Sequence, residues 1–442
     1  MKKLLLALLL TNAVAAQTLD RAELATRVRA EMLHSWRAYE QYAWGHDELK
    51  PLTKTAHDWH GSESLLMTPV DALDTLLLMG LNEEAAKAQA LIVEKLSFDK
   101  DIEVKNFEIT IRILGGLLSA YEMTGDARLL HLADDLGTRL LPVFESPTGM
   151  PYMYVNLRTG KTRGARSNPA EIGTLLLEFG TLSKLTKKPV YFDKAKRAVV
   201  AMYERRSKLG LVGEEIDVET GKWLSANSHV GGGIDSYYEY LLKSALLFND
   251  KDCARMWKSS LRALNKHLRD KAPSGLWYAQ VDMNTGRITA SEYGALHAFL
   301  PAVLALGGDL SDAKSLQASC DKMWRLHSIE PEVLNYRTME VTYPGYPLRP
   351  EIIESAYYLH RFTKDPRYLA MGARYFEDLM KYTHTDAGYT TLKNVVTKEQ
   401  GDLMPSYFLA ETLKYLYLLF APEKTLDLKS VVFNTEAHPL RR

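Results

Sequence analysis

Apolar residues in this chain gather into helix-length runs rather than into the alternation of a half-buried sheet. The runs recur as one unit. A strongly apolar helix ends in a short turn, an amphipathic helix follows, and a glycine-marked hairpin leads to the next apolar helix. The turns include Met79-Gly80-Leu81-Asn82, Thr124-Gly125-Asp126, Thr186-Lys187-Lys188-Pro189, Asn249-Asp250, Gly307-Gly308-Asp309 and Thr363-Lys364-Asp365-Pro366. Each joins residues that stop one helix to residues that cap the next. Residues 191–205 and 311–327 carry a one-sided apolar stripe, as outer helices with one wet face do. Residues 152–162, 212–223 and 277–289 hold β-favouring residues around Thr-Gly turns and read as hairpins.

A series of ionisable residues opens the apolar helices: Asp71, Glu108, Glu171, Asp235, His297, Glu351 and, slightly inside, Glu411. From Glu108 onward they recur about every 60 residues, a period of stacked or closed supersecondary units rather than of separate domains. Seven apolar helices, each with an amphipathic partner beginning near Asp20, predict an all-α ring. Seven inner helices are wrapped by seven outer ones, with short hairpins at one end. The ionisable residues then gather at one end of the ring. Any one of them is also the acid that a helix dipole favours in a first turn, so the argument rests on the set.

The N-terminus predicts export. Lys2 and Lys3 precede the apolar run Leu4 to Leu10, and small residues up to Ala16 supply a cleavage site. Residues 1–16 thus read as a signal peptide, leaving 17–442 as one periplasmic or secreted domain, monomeric and without a membrane anchor. Lysine plus arginine equals aspartate plus glutamate at 55 each, so no net field recruits nucleic acid or anionic membrane. Two cysteines, Cys253 and Cys320, are too few for a disulfide scaffold, and whether they pair is open.

Three segments carry candidate chemistry. Glu108 and Arg112 share a helix face, above a Gly115-Gly116 pair best explained by close packing. Gly231-Gly232-Gly233 runs into Asp235 and lets backbone approach a ligand. Pro350 suits a first helical position, and Glu351 and Glu354 follow on one face at the positive end of the dipole. That placement predicts an ionised Glu351, as a general base requires. The polar segment Phe433 to Pro439 follows the last inner helix, Ser406 to Phe420, and a frayed terminus is one reading of it. Zinc, EF-hand, GxSxG and P-loop patterns are absent from the sequence. Several carboxylates in a cavity then point to glycoside hydrolysis.

The same segments resemble glycoside hydrolase family 47, the class I α-1,2-mannosidases. The matches include Tyr42 to Pro51, Val70 to Leu76, Phe107 to Tyr121, Ala170 to Leu175, Asp235 to Lys243, Leu348 to Ser355, Glu411 to Phe420 and Phe433 to Pro439, in order along the chain. The resemblance implies an (α/α)7 barrel and Ca²⁺-dependent, inverting exo-hydrolysis of terminal α-1,2-linked mannose from an oligosaccharide. Glu108 matches a general acid, Glu351 the general base and Asp235 a third catalytic carboxylate, with the proton donor either Glu108 or Asp235. Thr435 matches the calcium ligand. Arg112, Glu171, His297, Arg349, Glu354, Tyr407, Glu411 and Glu436 match positions around the reacting sugar or the ion. The family's usual Met-Glu-Ser-Phe is Met404-Pro405-Ser406-Tyr407 here, and Gly233 replaces a larger residue that helps choose between glycan branches. An exported form without an anchor suggests a bacterial member. The rival expectations are a catalytically silent mannose-binding protein and a sugar epimerase on a similar barrel.

Overall fold

A computed structural model describes residues 19–442, so the expected signal peptide at residues 1–16 lies outside the described residues. Fourteen helical units alternate along the described chain. The outer ones are Arg21–Tyr42, Asn82–Lys95, Ala127–Leu140, Pro189–Glu204, Lys251–His267, Leu310–His327 and Arg367–Tyr382. Asp20, Asp126, Asp250 and Asp309 cap four of these, each side chain accepting from a backbone N–H of the first turn. Lys187, Asn249 and Lys364 end inner helices in the left-handed conformation at φ 61°, 52° and 58°, the C-terminal stop expected of those turns.

The inner units are Met67–Leu78, Asn106–Ile109 running on to Gly115–Thr124, Pro169–Gly173 with Leu176–Thr186, Asp235–Phe248, Ala295–Phe299 with Leu300–Leu306, Glu351–Thr363, and Phe408–Thr412 with Leu413–Phe420. Nearly all their residues are buried, whereas the outer helices bury one stripe. The ring closes where Met67–Leu78 packs on Gly115–Thr124 to one side and on Phe408–Thr412 to the other. Arg21–Tyr42 covers Leu413–Phe420 from outside. The fold is therefore the (α/α)7 barrel, and no helix among the described residues is long and apolar enough to cross a membrane.

Short hairpins gird one end. Tyr154–Asn156 pairs with Thr162–Arg163, Glu215–Asp217 with Trp223–Ser225, and Gln280–Asp282 with Ile288–Ala290. Each hairpin also pairs with a strand that enters the preceding inner helix, such as Glu103–Lys105 or Arg166–Ser167. Backbone hydrogen bonds thus tie neighbouring helix starts together where the ionisable residues lie.

Two expectations are resolved here. The segment after the last inner helix is not frayed: Val431–Phe433 and Pro439–Arg441 form a hairpin whose connecting residues are sunk in the barrel. Asn434 explains this, because its side chain donates to the Ile111 carbonyl (2.9 Å) and to Glu178 (2.8 Å) and accepts from the Glu436 and His438 N–H groups. Cys253 and Cys320 are both free and buried.

Candidate active site

The hairpin end opens into a cavity of about 330 Å³. Its wall draws on the starts of successive inner helices and on the inserted C-terminal hairpin. Glu108, Arg112, Glu171, Asp235, Arg349, Glu351, Glu354, Tyr407, Glu411, Thr435 and Glu436 all line it, as the sequence predicts. With Glu239, eight carboxylates share the lining with Lys105, Arg112 and Arg349, and Lys243 behind it pairs with Glu239 and lies 3.7 Å from Glu354.

Two inner helices bend their hydrogen-bond ladder at this level. Thr110–Leu114 and Phe408–Thr412 are single π-turns, and they carry Arg112 and Glu411. Such turns insert one residue into a helix and re-aim its side chains, a device frequent at functional sites. Gly115 and Gly116 follow the first. A Cβ on Gly115 would stand 2.6 Å from Asn434 and one on Gly116 2.8 Å from the Val70 carbonyl, so both glycines admit close neighbours.

Arg112 organises one side. Its guanidinium donates to Glu108 at 3.0 and 3.1 Å, pairs with Glu436, and lies over the rings of Tyr407 (5.3 Å) and Trp59 (5.7 Å). Lys105 reaches Glu171 at 2.6 Å, and Asn168 caps the helix that presents Glu171. Across the cavity, Arg349 is held by Glu332 at 2.5 and 3.2 Å. The Tyr407 hydroxyl donates to the Pro347 carbonyl at 2.5 Å, which fixes the ring as a floor. At the base, Thr435 donates to Glu239 (2.9 Å) and Tyr415 donates to Glu354 (3.2 Å).

The electrostatics follow from this surplus of acid. Burial pushes Asp235 up to about 7, against the pull of the Ser236 N–H. It likewise pushes Glu171 to about 7 and Glu354 to about 7, with Lys105 and Lys243 respectively opposing it. Glu351 is raised to about 8 by burial, although Arg349 draws it down. This corrects the expectation of an ionised Glu351: loss of water outweighs the helix dipole. Glu351 Oε2 and Glu171 Oε2 are buried without a hydrogen-bond partner.

Two sequence-predicted residues sit elsewhere. His297 does not line the cavity. It lies behind Gly231, where a Cβ would come within 2.0 Å of its ring, and its Nδ1 accepts from the Gly294 N–H. Burial lowers it to about 3, so it is a neutral ring buttressing the glycine loop. Asp71 is the fifth residue of its helix and falls one layer below. There His438 lies between Asp71 (3.1 Å) and Asp74 (2.7 Å), Lys414 meets Asp74 at 2.7 Å, and Ser119 and Ser406 complete the set. Sequence reasoning missed this network, and also Glu239, Lys105, Trp59 and Glu332. Glu239 was legible, since it falls one turn after Asp235 on the same face. Glu332 and Trp59 come from loops and carry no periodic signal. A single group of His, Cys, Asp or Glu among the described residues has ligand atoms mutually within 4.8 Å, and it lies outside the cavity, at Glu31, His34 and His384.

Comparison with known proteins agrees with the geometry. The family model described as glycosyl hydrolase family 47 matches residues 31–442. The mannosyl-oligosaccharide 1,2-alpha-mannosidase MNS1 of Arabidopsis thaliana is 38% identical, over 94% of this chain and 78% of the relative. The human ER degradation-enhancing alpha-mannosidase-like protein 2 is also 38% identical, over 95% and 78%. The solved structure of the alpha-1,2-mannosidase from Trichoderma reesei superposes with a TM-score of 0.87 at 26% identity, covering 95% of this chain and 99% of that one.

Proposed function

The chain belongs to glycosyl hydrolase family 47, and from that premise we propose that it removes terminal α-1,2-linked mannose from oligosaccharides by Ca²⁺-dependent inversion. The observation that carries the proposal is the cavity, where carboxylates from different inner helices surround a space suited to one sugar ring. An inverting hydrolase needs one acid at the leaving oxygen and one base for water on the opposite sugar face. Glu351, with its unpartnered oxygen, is the base: drawn to its ionised form by Arg349 and by the positive charge of a bound cation, it would take the proton of the water that attacks the anomeric carbon. The donor to the leaving oxygen is Asp235 or Glu108, the second braced by Arg112. Tyr407 and Arg349 orient the sugar.

The donor set fits calcium, a hard cation that takes oxygen ligands. Thr435 offers a hydroxyl oxygen at the cavity base, and Glu351, Glu354, Glu411 and Glu436 supply surrounding negative charge. The bound ion would engage vicinal sugar hydroxyls and help distort the ring. Export is part of the same proposal and rests on residues 1–16 alone.

The experiment offers α-1,2-, α-1,3- and α-1,6-mannobiose with and without chelator and follows the released anomer by NMR. The proposal expects β-mannose first, from the α-1,2 disaccharide alone, and no release after chelation. α-Mannose first overturns inversion. No release from any linkage, with binding retained, favours the silent mannose-binding rival.

A further inference from the structure

On the outer wall, away from the cavity, the first outer helix meets the hairpin that follows the last one. Glu31 and His34 stand one turn apart on Arg21–Tyr42, and His384 begins the hairpin His384–Thr385 with Gly388–Tyr389. One carboxylate oxygen and one ring nitrogen from each histidine lie within 4.8 Å of one another. The two imidazoles stack at 4.7 Å, and His384 Nε2 is 3.5 Å from Glu31.

The surroundings hold these groups in place. The Tyr389 hydroxyl donates to Glu31 Oε2 at 2.9 Å, and its ring meets His384 edge-on at 5.3 Å. His34 Nε2 sits between the Gly388 N–H (3.1 Å) and the Thr385 carbonyl (3.0 Å). Outer-shell partners of this kind orient ligands in metal sites. Simple ion pairing accounts for less, since the Glu31 carboxylate takes its short bond from Tyr389 and leaves two histidines crowded face to face.

We propose that Glu31, His34 and His384 bind one borderline divalent transition cation, with Zn²⁺ as the reference ion. Two imidazoles and a carboxylate suit zinc and its neighbours rather than calcium. Tetrahedral zinc with bonds near 2.0–2.1 Å needs ligand atoms roughly 3.4 Å apart, so binding draws the three groups inward. His384, partly exposed on a short hairpin, is the one that moves. The ion would join the first and last outer helical units where the ring of helices closes.

The test is calorimetric titration of ZnCl₂ into the mature protein, free of any histidine tag and with CaCl₂ saturating. The expected result is one equivalent of zinc and a rise in Tm. His384→Gln and His34→Gln, each checked by circular dichroism, should abolish that binding. Tyr389→Phe should weaken it about tenfold, as loss of an outer-shell partner does. Sugar hydrolysis by His384→Gln stays at the wild-type level. No zinc heat in the wild type overturns the proposal, and so does zinc binding unchanged in both histidine variants. Because the readout is zinc affinity, failure here leaves the mannosidase reading standing, and failure of that reading leaves this one.

Discussion

Two buried charged layers lie one above the other in the barrel, and they are built on opposite rules. In the lower layer Asp71, Asp74, His438 and Lys414 balance charge, and most of their polar atoms have partners. Burial raises the cost of the Asp74 carboxylate, but Lys414 and His438 overcome it and hold the group down at about 2. In the upper layer eight carboxylates meet four cations, Lys105, Arg112, Lys243 and Arg349, and Glu351 and Glu171 leave oxygens unpartnered. There burial wins, and Glu351 and Glu171 are pushed up. The same residue types, a few ångströms apart, serve to fasten in one layer and to react in the other. What separates them is whether a counter-charge is built in or must arrive with ligand.

Substitutions break this contrast most sharply at Glu351. Glu351→Gln removes the base and should lower kcat on α-1,2-mannobiose on the order of 10³-fold, as loss of general acid–base catalysis does. Sugar binding by calorimetry should be retained and the Tm should hold or rise. Near-normal turnover would remove Glu351 from the mechanism. Lys414→Met works in the lower layer and should do the reverse. It strands Asp74 and costs about 3 kcal/mol of stability, read by denaturant unfolding, because breaking a buried pair leaves an uncompensated charge. An unchanged midpoint would show that the lower layer is not a fastening.

The smallest effect is the pH dependence of Tm, and its sign differs between the carboxyls of the two layers. Glu171, Asp235, Glu351 and Glu354 are raised when folded, so their contribution is full below about pH 4, the unfolded range, and is lost as pH rises through about 7 to about 8. Asp74 is depressed, so its contribution is full above about pH 3.9 and is lost as pH falls through about 2. Burial opposes the charging of His438, but Asp74 and Asp71 raise it on balance, and its contribution fades as pH climbs above that raised value. Tm should therefore decline from pH 5 to 8.5 in the absence of calcium. Glu354→Gln should flatten the decline, and added CaCl₂ should raise Tm more at pH 8 than at pH 5. A Tm that climbs with pH would reverse the reading of the upper layer.

The sequence makes the barrel legible because the fold repeats. Seven apolar runs, capped turns such as Asn249-Asp250, and Thr-Gly hairpins each carry a local signal that tertiary packing reinforces. The cavity acids were legible for the same reason, since helix starts recur in register. Depth was not. Nothing local distinguishes Asp71, which sinks a layer, from Glu351, which stays at the cavity, and nothing local shows that His297 hides behind Gly231. Nor does a sequence window reveal a π-turn, whose extra residue at Thr110–Leu114 is set by what packs against it. The burial of the tail had no local signal, because its polar residues look solvent-facing until Asn434 meets Ile111 and Glu178 from distant helices.

That inserted hairpin fixes an order of events. Thr435 and Glu436 follow every helix they complete, and Lys414 donates to the Ala437 carbonyl at 2.7 Å. Helices stacked without this hairpin would hold an open bowl of like charges with no base to it. Only when residues 431–441 thread back into the barrel does the bowl acquire its floor. Hydrolytic competence therefore depends on a step beyond the stacking of the helices, and its appearance reports that the barrel has closed.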